Sequence, residues 1–236
     1  MKKENDRVAV ITGGAGGIGK VIADTFRARG VKVAVIDQAE GDHFVGDIGS
    51  REILETFAAW VLEQYGHVDY LIHNAPPLMK GLDTCSYEEF QYAMAVGVTA
   101  PFYLSKLFAD HFGEHGVILN ISSSRDRMSQ PQTESYSAAK GGIAALTHAL
   151  SASLSGRIRV NSISPGWIDT EGREYAGADA LQHQAGRVGR PEDVAELAWF
   201  LCSEQAGFIH GENICIDGGM TKQMIYHGDC GWRLEG

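Results

Sequence analysis

Short apolar runs alternate with longer amphipathic segments along nearly the whole chain. The runs are dense in Val and Ile, which is typical of strands buried on both faces of a sheet. They cover Arg7–Thr12, Val31–Asp37, Val68–Asn74, Gly116–Ser122, Ile158–Pro165 and Gly211–Asp217. Their alternation with helices predicts a doubly wound α/β fold, with a predominantly parallel sheet and helices on both faces.

The segments between these runs carry apolar residues three or four positions apart, as a helix with one buried face requires. The predicted helices are Gly17–Gly30, Ser50–Tyr65, Tyr87–Phe112, Ser135–Leu154 and Pro191–Ser203. The third of these changes character around Val96–Pro101, where we expect a break. Pro191 opens the last helix, a position at which the missing N–H of proline is harmless.

The length of 236 residues suits one α/β domain, and 44% hydrophobic residues supply a sizeable core. Neither a repeat nor a linker divides the chain. We therefore expect a single domain over residues 1–236, with an irregular tail from about residue 220. Within that tail, Trp232 and Leu234 either dock on the domain or stay loose.

The formal net charge of −10 disfavours nucleic acid and anionic membrane as partners, because both require a basic face. The four cysteines lack C-x-x-C spacing and the histidines lack ligand spacing, so we expect no metal and a reducing compartment. There is no apolar leader or membrane-length run. The expected location is the cytoplasm.

A glycine-rich turn joins the first strand to the first helix, in the segment Thr12-Gly13-Gly14-Ala15-Gly16-Gly17-Ile18-Gly19. Glycines there permit a tight turn and close approach to phosphate, while the helix N-terminus offers free N–H groups. The spacing satisfies G-x-G-x-x-G, T-G-x-x-x-G-x-G and T-G-x-x-G-x-x-G together. By itself the turn indicates a phosphate site, and a turn without a ligand is the alternative.

Asp37 ends the second strand, about 20 residues beyond the glycines. A carboxylate at this place accepts hydrogen bonds from the adenosine ribose hydroxyls and repels a 2′-phosphate. No Arg or Lys directly follows Asp37. The sequence therefore favours NAD(H) over NADP(H), although an ordinary aspartate at a strand end would look the same.

Tyr136 and Lys140 stand four positions apart in a predicted helix and therefore share one helix face. An ammonium beside a phenol favours the phenolate. Lowering a tyrosine pKa from about 10 to about 7 requires roughly 4 kcal/mol, which a lysine and a cationic cofactor ring together could supply. The pair is thus a candidate general acid/base, whereas a lone Tyr-x-x-x-Lys is common by chance.

Together, the glycine turn, Asp37 and the Tyr136/Lys140 pair resemble those of the short-chain dehydrogenase/reductase family, from about residue 7 to residue 220. Ser123 lies 13 positions before Tyr136, where the family keeps its catalytic serine. Further matching motifs are Asp47-Ile48, Asn74-Ala75, Asn161-Ser162-Ile163-Ser164-Pro165-Gly166, Gly189-Arg190-Pro191-Glu192-Asp193-Val194-Ala195 and Asp217-Gly218-Gly219. The resemblance implies a compact seven-stranded Rossmann-like domain.

The resemblance also implies a site and an activity. Ser123, Tyr136 and Lys140 would form the catalytic group of an NAD-dependent enzyme that interconverts a secondary alcohol and a ketone. The implied cofactor-binding residues are Gly13, Gly16, Ile18, Gly19, Asp37, Asp47, Ile48, Asn74, Tyr136, Lys140, Pro165, Gly166, Ile168 and Thr170. The partners would be a small-molecule substrate and further copies of the chain, in a homo-dimer or homo-tetramer.

Two positions depart from the family pattern. Pro76 stands where the family has glycine, close to the expected nicotinamide site. Gly97 stands where the family usually has a fourth catalytic residue, an asparagine associated with a helix kink and a relay water. We hypothesise that the Gly97 carbonyl still holds this water. The alternatives to the leading function are an NADPH-linked 3-oxoacyl thioester reductase and a weakly catalytic cofactor-binding protein.

The sequence says less about the substrate than about the cofactor. The lid segment between Thr170 and Arg187 is short, which favours a small substrate or an open site. Arg125 and Arg127 closely follow Ser123 and are candidates for binding a carboxylate or phosphate. The competing interpretation is that both are surface or intersubunit charges.

Overall fold

A seven-stranded sheet forms the centre of the computed structural model, which describes residues 6–231 and residue 233. All its pairings are parallel, in the order β3-β2-β1-β4-β5-β6-β7. The strands are β1 Val8–Thr12, β2 Lys32–Asp37, β3 Phe44–Val45, β4 Val68–His73, β5 Phe112–Ile121, β6 Ile158–Pro165 and β7 Asn213–Ile216. The predicted doubly wound, seven-stranded fold is confirmed. Its strand order reverses between β1 and β4, which is where such sheets open a crevice.

Helices cover both faces of the sheet, and each face has its own apolar core. The helices are α1 Gly17–Ala28, α2 Arg51–Tyr65, α3 Tyr87–Met94, α4 Ala100–Phe108, α5 Glu134–Ser153, α6 Ala178–Leu181 and α7 Pro191–Cys202. Phe26 and Leu201 lie in the core beneath α1 and α7. Phe57 and Phe108 lie in the core beneath α2 and α4. These four side chains are fully buried.

The predicted helix Tyr87–Phe112 is wrong at its C-terminal end. Helix α4 ends at Phe108, and Phe112 already begins β5, where it pairs with Val68 ahead of a register shift. Both stretches are apolar, so the pattern alone did not separate them. The sequence also missed β3 and α6, which are too short to show a periodicity.

The expected break falls where predicted, and its form is a π-helical turn over Ala95–Thr99 between α3 and α4. Pro101 explains it. A proline inside a helix has no N–H to donate, and its ring crowds the carbonyl four residues earlier, which here belongs to Gly97. The widened turn relieves this crowding, and Ala100 N–H bonds to Ala95 O instead.

The described residues after β7 form two short 3₁₀ turns, Met220–Lys222 and Asp229–Gly231, as expected of an irregular tail. Met224 and Tyr226 are exposed there. Trp232 and Leu234, whose docking was left open, lie outside the described residues. In the described part of the chain, no helix has both the length and the apolar character needed to cross a membrane.

Candidate active site

A cavity of about 790 Å³ opens at the carboxyl edge of the sheet, at the reversal point between β1 and β4. Its volume suits a ligand of cofactor size. Most of the predicted site residues line it: Gly13, Gly16, Ile18, Asp37, Ile48, Asn74, Ser123, Tyr136, Lys140, Pro165, Gly166, Ile168 and Thr170. The two predicted residues outside this lining are Gly19 and Asp47.

The glycine turn forms a main-chain cradle at the centre of the cavity. Gly13 has a φ of +67°, and a Cβ there would lie 2.6 Å from the Cα of Ala75. Gly16 caps α1 without a side-chain hydrogen bond, and the first turn of the helix has no acidic residue. The N–H groups at the start of α1 are therefore available to an anion, so the residues present fit a pyrophosphate.

Gly19 is needed for packing beneath this cradle. A Cβ on it would lie 2.1 Å from Gly13 O and 2.3 Å from Asn74 Nδ2. Asn74 in turn donates to Gly13 O at 2.8 Å and to Thr12 O at 3.2 Å. Gly19 thus shapes the turn from behind, while Asn74 holds the turn and also borders the cavity.

Asp37 lies at one end of the cavity with its carboxylate held in place. Its two oxygens accept hydrogen bonds from the backbone N–H groups of Ala15 and Ala39, each at 3.0 Å. Each carboxylate oxygen keeps a further lone pair for a ligand hydroxyl. The group is therefore oriented before any ribose binds.

A side-chain bridge, which no sequence pattern marks, crosses this same end of the cavity. The Tyr92 hydroxyl donates to Asp47 Oδ1 at 2.9 Å and accepts from Gln38 Nε2 at 2.8 Å. Tyr92 and Gln38 line the cavity, whereas Asp47 holds them from outside. Tyr92 comes from α3, 45 positions after Asp47, so only the fold reveals the contact.

Ser123, Tyr136 and Lys140 meet at the opposite end of the cavity. Ser123 follows β5, and Tyr136 and Lys140 lie on successive turns of α5. The Lys140 Nζ is 5.4 Å from the centroid of the Tyr136 ring and donates to Ile121 O at 2.6 Å. The structure thus brings the three predicted side chains to one place.

Burial dominates the electrostatics of this group. It raises the pKa of Tyr136, outweighing the hydrogen bond with Ser123 and the charge of Arg125, both of which lower it. Burial also lowers the pKa of Lys140 to about 8. In the protein by itself, Lys140 does not bring the Tyr136 pKa down, because desolvating the phenolate dominates and the ammonium bonds to Ile121 O. The predicted lowering, which also requires the cationic cofactor ring, stays a prediction.

Gly97 lies in the π-helical turn, packed too tightly for any larger residue. A Cβ there would lie 2.7 Å from Ala139 Cβ and 3.1 Å from Pro77 Cβ. The space for an asparagine side chain is therefore occupied by Pro77 and by the helix that carries Lys140. The sequence drew attention to Pro76, but the contact with Gly97 belongs to Pro77.

The segment Pro76–Gly81, which we call the strap, forms a wall of the cavity. It lies beside the end that holds Ser123, Tyr136 and Lys140, the proposed catalytic end. Pro76, Pro77 and Leu78 line the cavity. Ser135 is fully buried, and its Oγ accepts from Lys80 N–H at 2.9 Å while lying 2.8 Å from Leu78 O. The strap is thereby fastened to the residue immediately before Tyr136, a link the sequence did not predict.

The short lid after Thr170 packs on Trp167. The ring centroids of Trp167 and Tyr175 are 4.9 Å apart in an edge-to-face arrangement, and His183 contacts the same indole at 6.0 Å. Aromatic pairs of this geometry add to ordinary area burial. The lid is therefore attached to the strand end that carries Pro165 and Gly166.

A parallel sheet with a glycine cradle at its reversal point, facing a buried Tyr/Lys pair, is typical of nicotinamide-dependent oxidoreductases. Comparison with known proteins supports this class. A family model described as enoyl-(acyl carrier protein) reductase, of the short-chain alcohol dehydrogenase type, matches residues 13–221. An uncharacterized oxidoreductase of Thermotoga maritima is 41% identical, over 93% of this chain and 98% of its own length. The chain belongs to the short-chain dehydrogenase/reductase family.

Solved structures agree with this assignment. An apo SCOR enzyme from Clostridium thermocellum superimposes with a TM-score of 0.91 at 41% identity, covering 97% of this chain and 98% of that one. A 3-ketoacyl-(acyl-carrier-protein) reductase from Brucella melitensis holds NADH, at 29% identity, 91% and 98% coverage and a TM-score of 0.82. A short-chain dehydrogenase from Burkholderia cenocepacia holds NADP, at 26% identity, 93% and 100% coverage and a TM-score of 0.85. Family members thus use a nicotinamide cofactor, of either phosphorylation state.

Proposed function

We propose that this protein is an NAD(H)-dependent oxidoreductase that interconverts a secondary alcohol and a ketone. The observation that carries the proposal is one continuous cavity, with Asp37 at one end and Ser123, Tyr136 and Lys140 at the other. A dinucleotide lying along it would place adenosine at the first end and nicotinamide at the second.

The preference for NAD(H) rests on Asp37. The carboxylate is held by two backbone N–H groups, so it cannot readily turn away from a 2′-phosphate. The residues that follow it are Gln38 and Ala39, and neither supplies a positive charge. The proposed cofactor contacts are those predicted from the sequence, with Gly19 and Asp47 acting from behind the cavity wall.

The bound nicotinamide would supply the hydride chemistry. The protein's part is to hold and move a proton: Ser123 would hydrogen-bond the substrate oxygen, and Tyr136 would exchange a proton with it. Lys140 Nζ would leave Ile121 O for the ribose hydroxyls. There, its charge together with that of the oxidised cofactor would offset the burial that raises the Tyr136 pKa.

The Gly97 carbonyl remains our candidate for holding the relay water. Its ordinary helical donor would be the N–H of residue 101, which is proline. The Gly97 carbonyl therefore lacks its usual helical donor, and this holds although position 97 is glycine and not asparagine. This supports full turnover over the weakly catalytic alternative.

An NADPH-linked 3-oxoacyl thioester reductase is the second candidate, supported by the relatives named for that reaction. Titration of protein fluorescence with NADH and with NADPH separates the two. We expect tighter binding of NADH, and loss of that preference in Asp37→Ala. Tighter binding of NADPH would favour the reductase. A panel of secondary alcohols, polyols and hydroxy acids with NAD⁺ would then identify the substrate class.

We further propose that residues 1–236 act as one domain and assemble as a homo-dimer or homo-tetramer. Sedimentation analysis of the full chain would give the oligomeric state. Among the described residues, Cys85, Cys202 and Cys215 are free thiols, which supports the reducing cytoplasm as the location.

A further inference from the structure

Two arginines follow Ser123 closely, and the structure gives them different surroundings. The Arg127 guanidinium donates to both carboxylate oxygens of Asp126, at 2.7 and 2.9 Å. The Asp126 side chain is only 5% exposed and also accepts a hydrogen bond from Ser164 at 3.2 Å. Arg127 therefore belongs to a structural ion pair that fastens the segment after β5 to β6.

Arg125 has no carboxylate partner within the described part of the chain. Its Nη2 donates to the side-chain oxygen of Gln130, a neutral acceptor at the surface. Its Nη1 is buried from solvent and has no hydrogen-bond partner among the described residues. Leaving a charged donor buried and unpaired is costly. The Nη1 group of Arg125 therefore has the capacity to donate to an acceptor that the described residues do not supply.

The position of Arg125 relates it to the catalytic group. Its backbone N–H donates to Ser123 Oγ at 3.2 Å, and its charge acts on the Tyr136 phenol. Arg125 is not among the residues that line the cavity, but it follows the lining residue Ser123 by two positions. A substrate whose carbonyl oxygen contacts Ser123 and Tyr136 would therefore lie beside the segment that carries this guanidinium.

We propose that Arg125 binds an anionic group of the substrate, so that the preferred substrates are hydroxy acids or keto acids. An oxyanion that replaces Gln130 would accept from both Nη1 and Nη2, the bidentate geometry for which arginine is suited. The walls at this end of the cavity are apolar, with Pro76, Pro77, Leu78 and Ile168. A small substrate with an apolar skeleton and one acidic group at its end fits this combination.

This inference rests on the proposed function, and its test separates the two. Full-length protein is first titrated with NADH, and the NADH complex is then titrated with cyclohexanecarboxylate, cyclohexyl phosphate and the neutral cyclohexanecarboxamide. If NADH does not bind, the proposed function fails. If NADH binds, the part of the difference between the anions and the amide that is lost in Arg125→Gln reports on Arg125.

We expect the carboxylate to bind about 10- to 100-fold more tightly than the amide, the range for a hydrogen bond to a charged group. Arg125→Gln should abolish this preference. Arg127→Gln and the exposed lid variant Arg173→Gln remove the same charge and should retain it. Equal binding of carboxylate and amide, or an unchanged preference in Arg125→Gln, would overturn the inference. A preference for the phosphate that disappears in Arg125→Gln would assign the site to phosphate esters.

Discussion

The two ends of the cavity are built from different parts of the chain. The glycine cradle and the Asp37 end consist mainly of main chain, glycines and a carboxylate held by backbone N–H groups, with one long-range bridge through Tyr92. The proposed catalytic end has side-chain walls drawn from distant segments, with the strap fixed to Ser135 and Pro77 packed on Gly97. The first end therefore rests largely on local sequence motifs, whereas the second depends on contacts between segments that lie far apart in the chain.

The largest expected effect concerns the catalytic end. Tyr136→Phe removes the proposed proton donor while keeping the ring, so we expect a loss of about 10²- to 10⁴-fold in kcat. NADH affinity should be nearly unchanged, because the proposed cofactor contacts at the glycine cradle and Asp37 are left intact. Tyr87→Phe, at a tyrosine that is 73% exposed, is the matched control and should keep full activity. Full activity in Tyr136→Phe would remove the tyrosine from the mechanism.

The packing beneath the cradle should be intolerant of a single methyl group. Gly19→Ala places a Cβ against Gly13 O and Asn74 Nδ2, and overpacking of this kind costs about 1–3 kcal/mol or more. A Cβ at Gly16 would meet nothing within 4 Å, and Gly16 has an extended φ of −146°. Urea unfolding should therefore show a large loss for Gly19→Ala and a small one for Gly16→Ala. Equal losses would contradict the packing argument.

At the other end, the tight contact at Gly97 predicts an energetic coupling between two helices. Gly97→Ala should destabilise the fold by about 1–3 kcal/mol because its Cβ meets Ala139. Adding Ala139→Gly should recover part of that loss, giving a coupling of about 0.5–3 kcal/mol in a double-mutant cycle. Gly141→Ala, where the nearest atom is Asp126 O at 3.9 Å, is the control and should not destabilise. Additive effects of Gly97→Ala and Ala139→Gly would show that the helices are not in contact there.

A further effect concerns the pH dependence that the buried ammonium gives to stability. Burial lowers the pKa of Lys140 to about 8 from its ordinary value of 10.5. Between these values the unfolded chain binds more protons than the folded one, so this group makes stability rise with pH. Below pH 8 the lysine is charged in both states and the full cost of burying it remains. Between pH 8 and 10.5, the Tm of the wild type should therefore rise relative to the Tm of Lys140→Met. A constant difference would contradict the pKa shift.

The comparison of the two ends also explains how far the sequence could predict the structure. The parallel sheet and the cradle were predictable because buried strands, a glycine turn and Asp37 each leave a local pattern. The Tyr92 bridge, the strap and the Pro77–Gly97 contact join residues far apart in the chain, and no periodicity marks them. The direction of the Tyr136 pKa depended on burial and on where the Lys140 side chain lies, neither of which spacing can reveal.

The central claim is that both ends of the cavity serve a single nicotinamide cofactor, with Tyr136 beside its reactive ring. A crystal structure of the NADH complex tests this directly. We predict the adenosine ribose on Asp37, the nicotinamide beside Tyr136 and Ser123, and Lys140 Nζ on the ribose hydroxyls. A nicotinamide outside the catalytic end, with Lys140 still bonded to Ile121 O, would contradict the account.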